Sequence, residues 1–197
     1  MVKNVKSNCS HKKLMNSVNR DIAKLVKGCV KQEREAQKAL YKQFYSYSMS
    51  ICLRYAKSRE DATEIMNDGF FNVFRYIRSF DLQKPFRHWL RKIMINSAID
   101  HIKKNNKIQS MENLDTTAKV MVEETELDTV SYEDLIEMIR KLPPSYGAVF
   151  NLRAIEGYTH EEVAGILGIT VGTSKSNYAK AKAKLQEYLA IYFGVKQ

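Results

Sequence analysis

Glycine, proline and cysteine are scarce in this chain, at 8, 3 and 3 of 197 residues. So few turn formers argue against a sandwich or barrel, whose short strands need a turn at every reversal. The three cysteines, Cys9, Cys29 and Cys52, follow no regular spacing, which argues against a secreted disulfide scaffold and against a paired zinc-ligand set. No apolar run approaches the roughly 18 residues that a membrane span needs, and the opening MVKNVKSNCSHKK lacks the apolar core of a signal peptide. There is no glycine-rich phosphate loop, and the four histidines (His11, His88, His101, His160) are scattered. No enzyme, cofactor or metal centre is therefore expected. Hydrophobic residues make up 44%, enough to build packed cores. A helical, basic protein of the cytoplasm, without membrane insertion, is the expectation.

What is abundant is positive charge, unevenly placed. Residues 1–106 carry 22 Lys and Arg against 9 Asp and Glu, residues 107–141 carry 4 against 9, and residues 142–197 carry 6 against 4. Two basic blocks thus flank an acidic middle, a pattern suited to a polyanionic partner and a solvated connector. The hydrophobic period agrees with this division. A polar basic tail (1–19) precedes a helical block (20–105), a polar acidic linker (106–130) and a second helical block (131–193). The predicted fold class is all-α: two small helical domains joined by a flexible acidic linker.

In EDATEIMNDGFFNVFRYIRS, Ala62, Met66, Phe70, Val73 and Ile77 share one side of a helix turning about 100° per residue. Asp61, Glu64 and Asp68 lie on the other side together with Phe71. A carboxylate row alone fits a solvated face, but an aromatic beside it favours a protein-docking surface. The next helix, opened by Pro85, is apolar on two sides, Phe86–Trp89–Leu90–Ile93 and Ile95–Ile99–Ile102, and belongs at the centre of its domain. Its polar stripe, His88, Lys92, Asn96 and Lys103, fits either a narrow solvent window or a surface tracking a nucleic-acid backbone. In the preceding loop Phe80, Lys84 and Arg87 combine rings and cations, the types that hold single-stranded nucleic acid.

The second block is more specific. Thr159-His160-Glu161-Glu162 reads as a capping box, Gly168 as a helix stop, and a second helix follows after Ile169 and Thr170. This tight turn between two short amphipathic helices predicts a helix-turn-helix. On its second helix Tyr178, Ala181, Leu185, Leu189 and Tyr192 face inward. Thr173, Ser176 and Lys180 face outward, with Lys175, Asn177 and Lys184 at the edges. A recognition helix meets base edges with this N-terminal half.

LPPSYGAVFNLRAIEGYTHEEVAGILGITVGTSKS, FDLQKPFRHWLRKIMINSAIDHIKK and DATEIMNDGFFNVF together resemble the extracytoplasmic-function sigma factors of bacterial RNA polymerase, over roughly residues 20–104 and 131–190. The resemblance implies a transcription initiation factor that binds core polymerase at its clamp and flap and opens promoter DNA without catalysis. It assigns Asp61, Glu64, Asp68 and Phe71 to the clamp surface, and Lys84, Arg87, Lys92 and Asn96 to the minus-ten element. Thr173, Lys175, Ser176, Asn177 and Lys180 fall to the minus-thirty-five element. It also implies an anti-sigma factor as regulator and a chain that is monomeric when free. The chain departs from the family pattern at Gly69, where a larger apolar residue is usual, and at Ser174, where a branched apolar one is usual. Asn177 and Lys180 stand where Arg is common, which suggests a distinct promoter preference. The competing expectation is a dimeric helix-turn-helix regulator that binds duplex DNA without polymerase.

Overall fold

A computed structural model describes residues 21–109 and 130–194, with side chains of the first stretch described up to residue 105. The expected tail, most of the linker and Cys9 lie outside the described residues. Among the described residues every regular element is helical: α1 (21–30), α2 (Arg34–Cys52), α3 (Arg59–Tyr76), a 3₁₀ turn (Ile77–Ser79), α4 (Phe86–Gln109), α5 (Tyr132–Arg140), α6 (Pro144–Phe150), a π-turn (Asn151–Ile155), α7 (His160–Leu167) and α8 (Val171–Tyr192). The linker was expected to begin at residue 106, yet α4 continues to Gln109. Its last turns, KKNNKIQ, hold neither proline nor glycine, so nothing in them stops the helix.

By contacts the described residues divide into two compact units, one within Met1–Ile51 and Met66–Ser97 and one within Cys52–Ile65 and Ala98–Gln197. The division cuts α3 after Ile65 and α4 after Ser97.

In the first unit, α2 and the adjoining parts of α3 and α4 bury Leu40, Phe44, Met66, Phe70, Val73, Phe86, Leu90 and Met94. Aromatic rings tie these helices pairwise, Tyr41 to Phe70 at 4.6 Å and Phe44 to Phe86 at 5.0 Å between centroids. Helix α4 has the two buried sides expected of it, with Leu90 and Ile95 both at most 2% exposed. Gly69 of α3 faces Met94 of α4. A Cβ there would lie 2.4 Å from Met94 Sδ, so the thioether fills the space that a side chain at 69 would take.

In the second unit, Met138, Ile139, Leu142, Ala181 and Leu185 form a core on which Tyr188, Leu189 and Tyr192 of α8 pack. Capping boxes open both α5 and α7: Ser131 with Asp134, and Thr159 with Glu162. Only the second was legible beforehand. Gly168 closes α7 at φ 71°, a left-handed conformation that glycine adopts without penalty.

The polar framework of this unit was not expected. The Arg54 guanidinium meets the Glu156 carboxylate at 2.7 Å, their side chains only 10% and 2% exposed. Asn151, fully buried, donates its amide to the Arg54 carbonyl at 2.7 Å. Arg140 donates to the Lys57 carbonyl at 2.6 Å, and Lys103 to the Ile166 carbonyl at 2.9 Å. Burying charges costs free energy unless they are paired, and the Arg54–Glu156 contact supplies that pairing.

Candidate functional site

Helix α3 forms because its apolar residues recur at helical spacing, and burial follows that period. Ala62, Ile65, Met66, Phe70 and Val73 are at most 2% exposed. The opposite face keeps Glu64 and Asp68 exposed, while Asp61 is half-buried and lines a small cavity with Arg54, Lys57 and Arg140. Phe71 is 67% exposed. A phenyl ring left in water offers apolar area for burial, and exposed carboxylates beside it give a partner's cations something to pair with. His101 approaches Glu64 at 3.9 Å.

Between the 3₁₀ turn and α4, Phe80 contacts both Phe86 and Trp89, each pair 5.2 Å apart. Phe86 is buried, whereas Phe80 and Trp89 are half-buried and present ring area at the surface. Lys84 and Arg87 are exposed around them. Lys84 lies 4.0 Å from Asp81, both well solvated, which is too loose and too screened to neutralise the lysine. The Arg87 guanidinium sits 4.3 Å over the Tyr47 ring, so this cation is held in place while keeping its charge. Along α4, Lys92 and Asn96 are exposed.

In the helix-turn-helix, Thr170 caps α8 by accepting from the Thr173 amide at 3.0 Å. Beyond that cap Thr173, Lys175, Ser176 and Lys180 are exposed, and Asn177 is half-buried. Glu161 carries a lowered pKa because its carboxylate accepts a backbone N–H at the start of α7, with smaller help from Thr159, Lys175 and His160. The Lys180 ammonium lies 5.8 Å from the Tyr146 ring, and that of Lys182 5.3 Å from the Tyr178 ring. Two features here escaped the sequence. Ser174 is fully buried, yet its hydroxyl has a partner, His160 Nδ1, at 2.9 Å. Tyr178 is a junction that stacks on Phe150 at 6.2 Å and meets the His160 ring edge-on at 5.7 Å. A polar residue at an inward helix position is the only sequence signal for the first, and it does not name its partner.

Among the described residues no group of His, Cys, Asp and Glu is placed to hold a metal ion, and no helix is long and apolar enough to cross a membrane. Cys29 and Cys52 are buried free thiols whose pKa burial pushes up, to about 11 and about 12 respectively, so neither is a nucleophile at neutral pH.

The family model "Sigma-70 region 2" matches residues 40–108, and "Sigma-70, region 4" matches residues 132–185. The chain is 27% identical over 180 residues to the ECF RNA polymerase sigma factor SigW of Bacillus subtilis, covering 85% of this chain and 96% of that one. It is 26% identical over 145 residues to the ECF RNA polymerase sigma factor SigE of Mycolicibacterium smegmatis, covering 71% and 56%. Among solved structures, the sigma factor RpoE of Bartonella quintana, in complex with the anti-sigma factor NepR, is 18% identical over 81% of this chain and 98% of its own, at a TM-score of 0.49. That last likeness is too low to carry an argument. Two different sigma-70 region models matched in chain order, with a relative matched over nearly its whole length, place the chain in the sigma-70 family, among the ECF RNA polymerase sigma factors.

Proposed function

We propose that this transcription initiation factor divides its work among three surfaces. Asp61, Glu64, Asp68 and Phe71 of α3 dock on the core polymerase clamp. Lys84, Arg87, Lys92 and Asn96 hold the minus-ten element, with Phe80 and Trp89 as stacking area for unpaired bases. Thr173, Lys175, Ser176, Asn177 and Lys180 of α8 meet the minus-thirty-five element. No bond to substrate is made or broken. Binding energy captures non-template bases once they leave the duplex stack, and cations neutralise the phosphates between them. The domains that do this are residues 20–105, with α4 running on to Gln109, and residues 131–193, and the acidic segment between them is the connector. An anti-sigma factor is the regulator such a chain calls for.

The observation that carries the reading is the exposed row of Thr173, Ser176 and Lys180 on the N-terminal half of α8, directly behind a left-handed glycine turn. A recognition helix presents this arrangement to base edges. The test is transcription by core polymerase supplemented with the chain, on a genomic promoter library read out as start sites. Defined starts with upstream elements at fixed spacing support the proposal. A chain that binds duplex DNA tightly and specifically without polymerase, and directs no transcription with it, is instead a simple helix-turn-helix regulator.

A further inference from the structure

We infer that His160 is a positioning residue for the base-reading face of α8, acting through Ser174 and Tyr178. Its ring touches α8 in two successive turns. Nδ1 is hydrogen-bonded to the Ser174 hydroxyl at 2.9 Å, and the ring stands edge-on to Tyr178, centroids 5.7 Å apart at 70°. Positions 174 and 178 are four apart, so they lie one above the other on a single face of the helix. Ser174 is fully buried and sits between Thr173 and Lys175, both exposed and both in the proposed minus-thirty-five surface.

The chemistry of the pair sets what it does. A buried hydroxyl without a partner is costly, and in this helix-turn-helix His160 is the partner that the Ser174 hydroxyl has. An apolar residue at 174 packs on its neighbours with no directional preference. A hydrogen bond weakens steeply away from its preferred angle, so this one fixes the rotation of α8 about its own axis. Base-edge contacts tolerate only about 0.5 Å and 10–20° of misplacement. A hydrogen bond on the inner face therefore governs the aim of Thr173, Ser176 and Asn177 on the outer one. The start of α7 does not depend on the imidazole. Its first turn is held by the Thr159–Glu162 capping box, in which the Thr159 amide donates to Glu162 at 2.7 Å and the Glu162 amide to Thr159 Oγ1 at 3.2 Å. Substitution at 160 thus removes the aim of α8 while leaving α7 its own support.

This inference rests on the reading that α8 meets the minus-thirty-five duplex, and one experiment separates the two. Holoenzyme assembled from core polymerase and the full chain selects from a promoter library with a fixed minus-ten segment and randomised minus-thirty-five positions. Wild type is compared with His160→Ala, His160→Asn and Ser174→Ala, and thermal stability is measured alongside. Asparagine offers a hydrogen-bonding amide near the place of Nδ1. Base preference at the strongest minus-thirty-five positions should fall about tenfold in His160→Ala and Ser174→Ala, the order of one lost base contact, and stay within about twofold of wild type in His160→Asn. Dependence on the minus-ten segment should not change in any variant. Preference that is intact in His160→Ala, or lost equally in His160→Ala and His160→Asn, overturns the positioning role. A wild-type holoenzyme with no minus-thirty-five preference at all overturns the base-reading role of α8, and this inference with it.

Discussion

A Cβ placed on Gly69 would lie 2.4 Å from Met94 Sδ, inside any allowed contact, so α3 and α4 approach over a glycine that the thioether of Met94 covers. At a solvated helix position Gly→Ala gains about 1 kcal/mol. Here the contact is with the far end of the Met94 side chain, fully buried, which must change rotamer within a packed core to make room. Gly69→Ala should therefore lose about 1 kcal/mol, because overpacking at about 1–3 kcal/mol exceeds the gain in propensity. Combined with Met94→Val it should cost less than the two single changes summed, which a double-mutant cycle by urea unfolding measures. Strict additivity would mean that the two positions do not share this space.

Phe71 separates stability from docking. At 67% exposure its side chain contributes little to the fold, and Phe71→Ala should change unfolding free energy by no more than about 0.5 kcal/mol. If α3 docks on polymerase as proposed, the same change should weaken core binding about tenfold or more, as loss of an aromatic anchor does. Fluorescence anisotropy of labelled chain titrated with core enzyme reads this out.

The Arg54–Glu156 pair should behave as a buried ion pair. Arg54→Ala leaves a carboxylate that is 2% exposed without its cation, and should cost about 3–5 kcal/mol. Arg54→Met combined with Glu156→Leu removes both charges and should recover most of that loss. Denaturant unfolding of the three variants decides it.

Acid should loosen α5 before the rest. The Asp134 carboxylate accepts hydrogen bonds from Ser131 and then from Tyr192, which holds its pKa below the ordinary value. A depressed carboxylate stabilises the fold above its unfolded pKa of about 3.9, and that contribution fades as pH falls through the lower folded value. Tyr192 has the opposite sign. The bond to Asp134 raises its pKa, so its contribution is complete below about pH 10 and is lost only as pH rises through the folded value. Amide exchange at Leu135 and Ile136, taken relative to the intrinsic amide rate at each pH, should accelerate in wild type as pH falls below about 3.9. In Ser131→Ala it should be fast throughout.

The buried thiols give a simple check on the core. With pKa values pushed up to about 11 and about 12, Cys29 and Cys52 should resist alkylation at pH 8 in a Cys9→Ser chain until denaturant is added.

Much of this molecule was legible in its sequence because helices write their environment at a period of 3.6 residues. The buried row of α3, the two-sided α4, the Thr159–Glu162 box and the Gly168 stop are each fixed by residues within a few positions of one another. So is the outward face of α8. Local propensity, capping and amphipathic spacing therefore determined the helices and which side of each is wet, and the ordered series of motifs indicated the family. The tertiary structure decided what joins residues far apart in the chain. The Arg54 carboxylate partner is 102 residues away, His160 reaches Ser174 across a turn, and the emptiness at Gly69 is filled by Met94. Two residues that look like departures, Gly69 and Ser174, make sense only with those partners in view. No period encodes them, because a long-range contact depends on how helices pack and not on the spacing within any one helix.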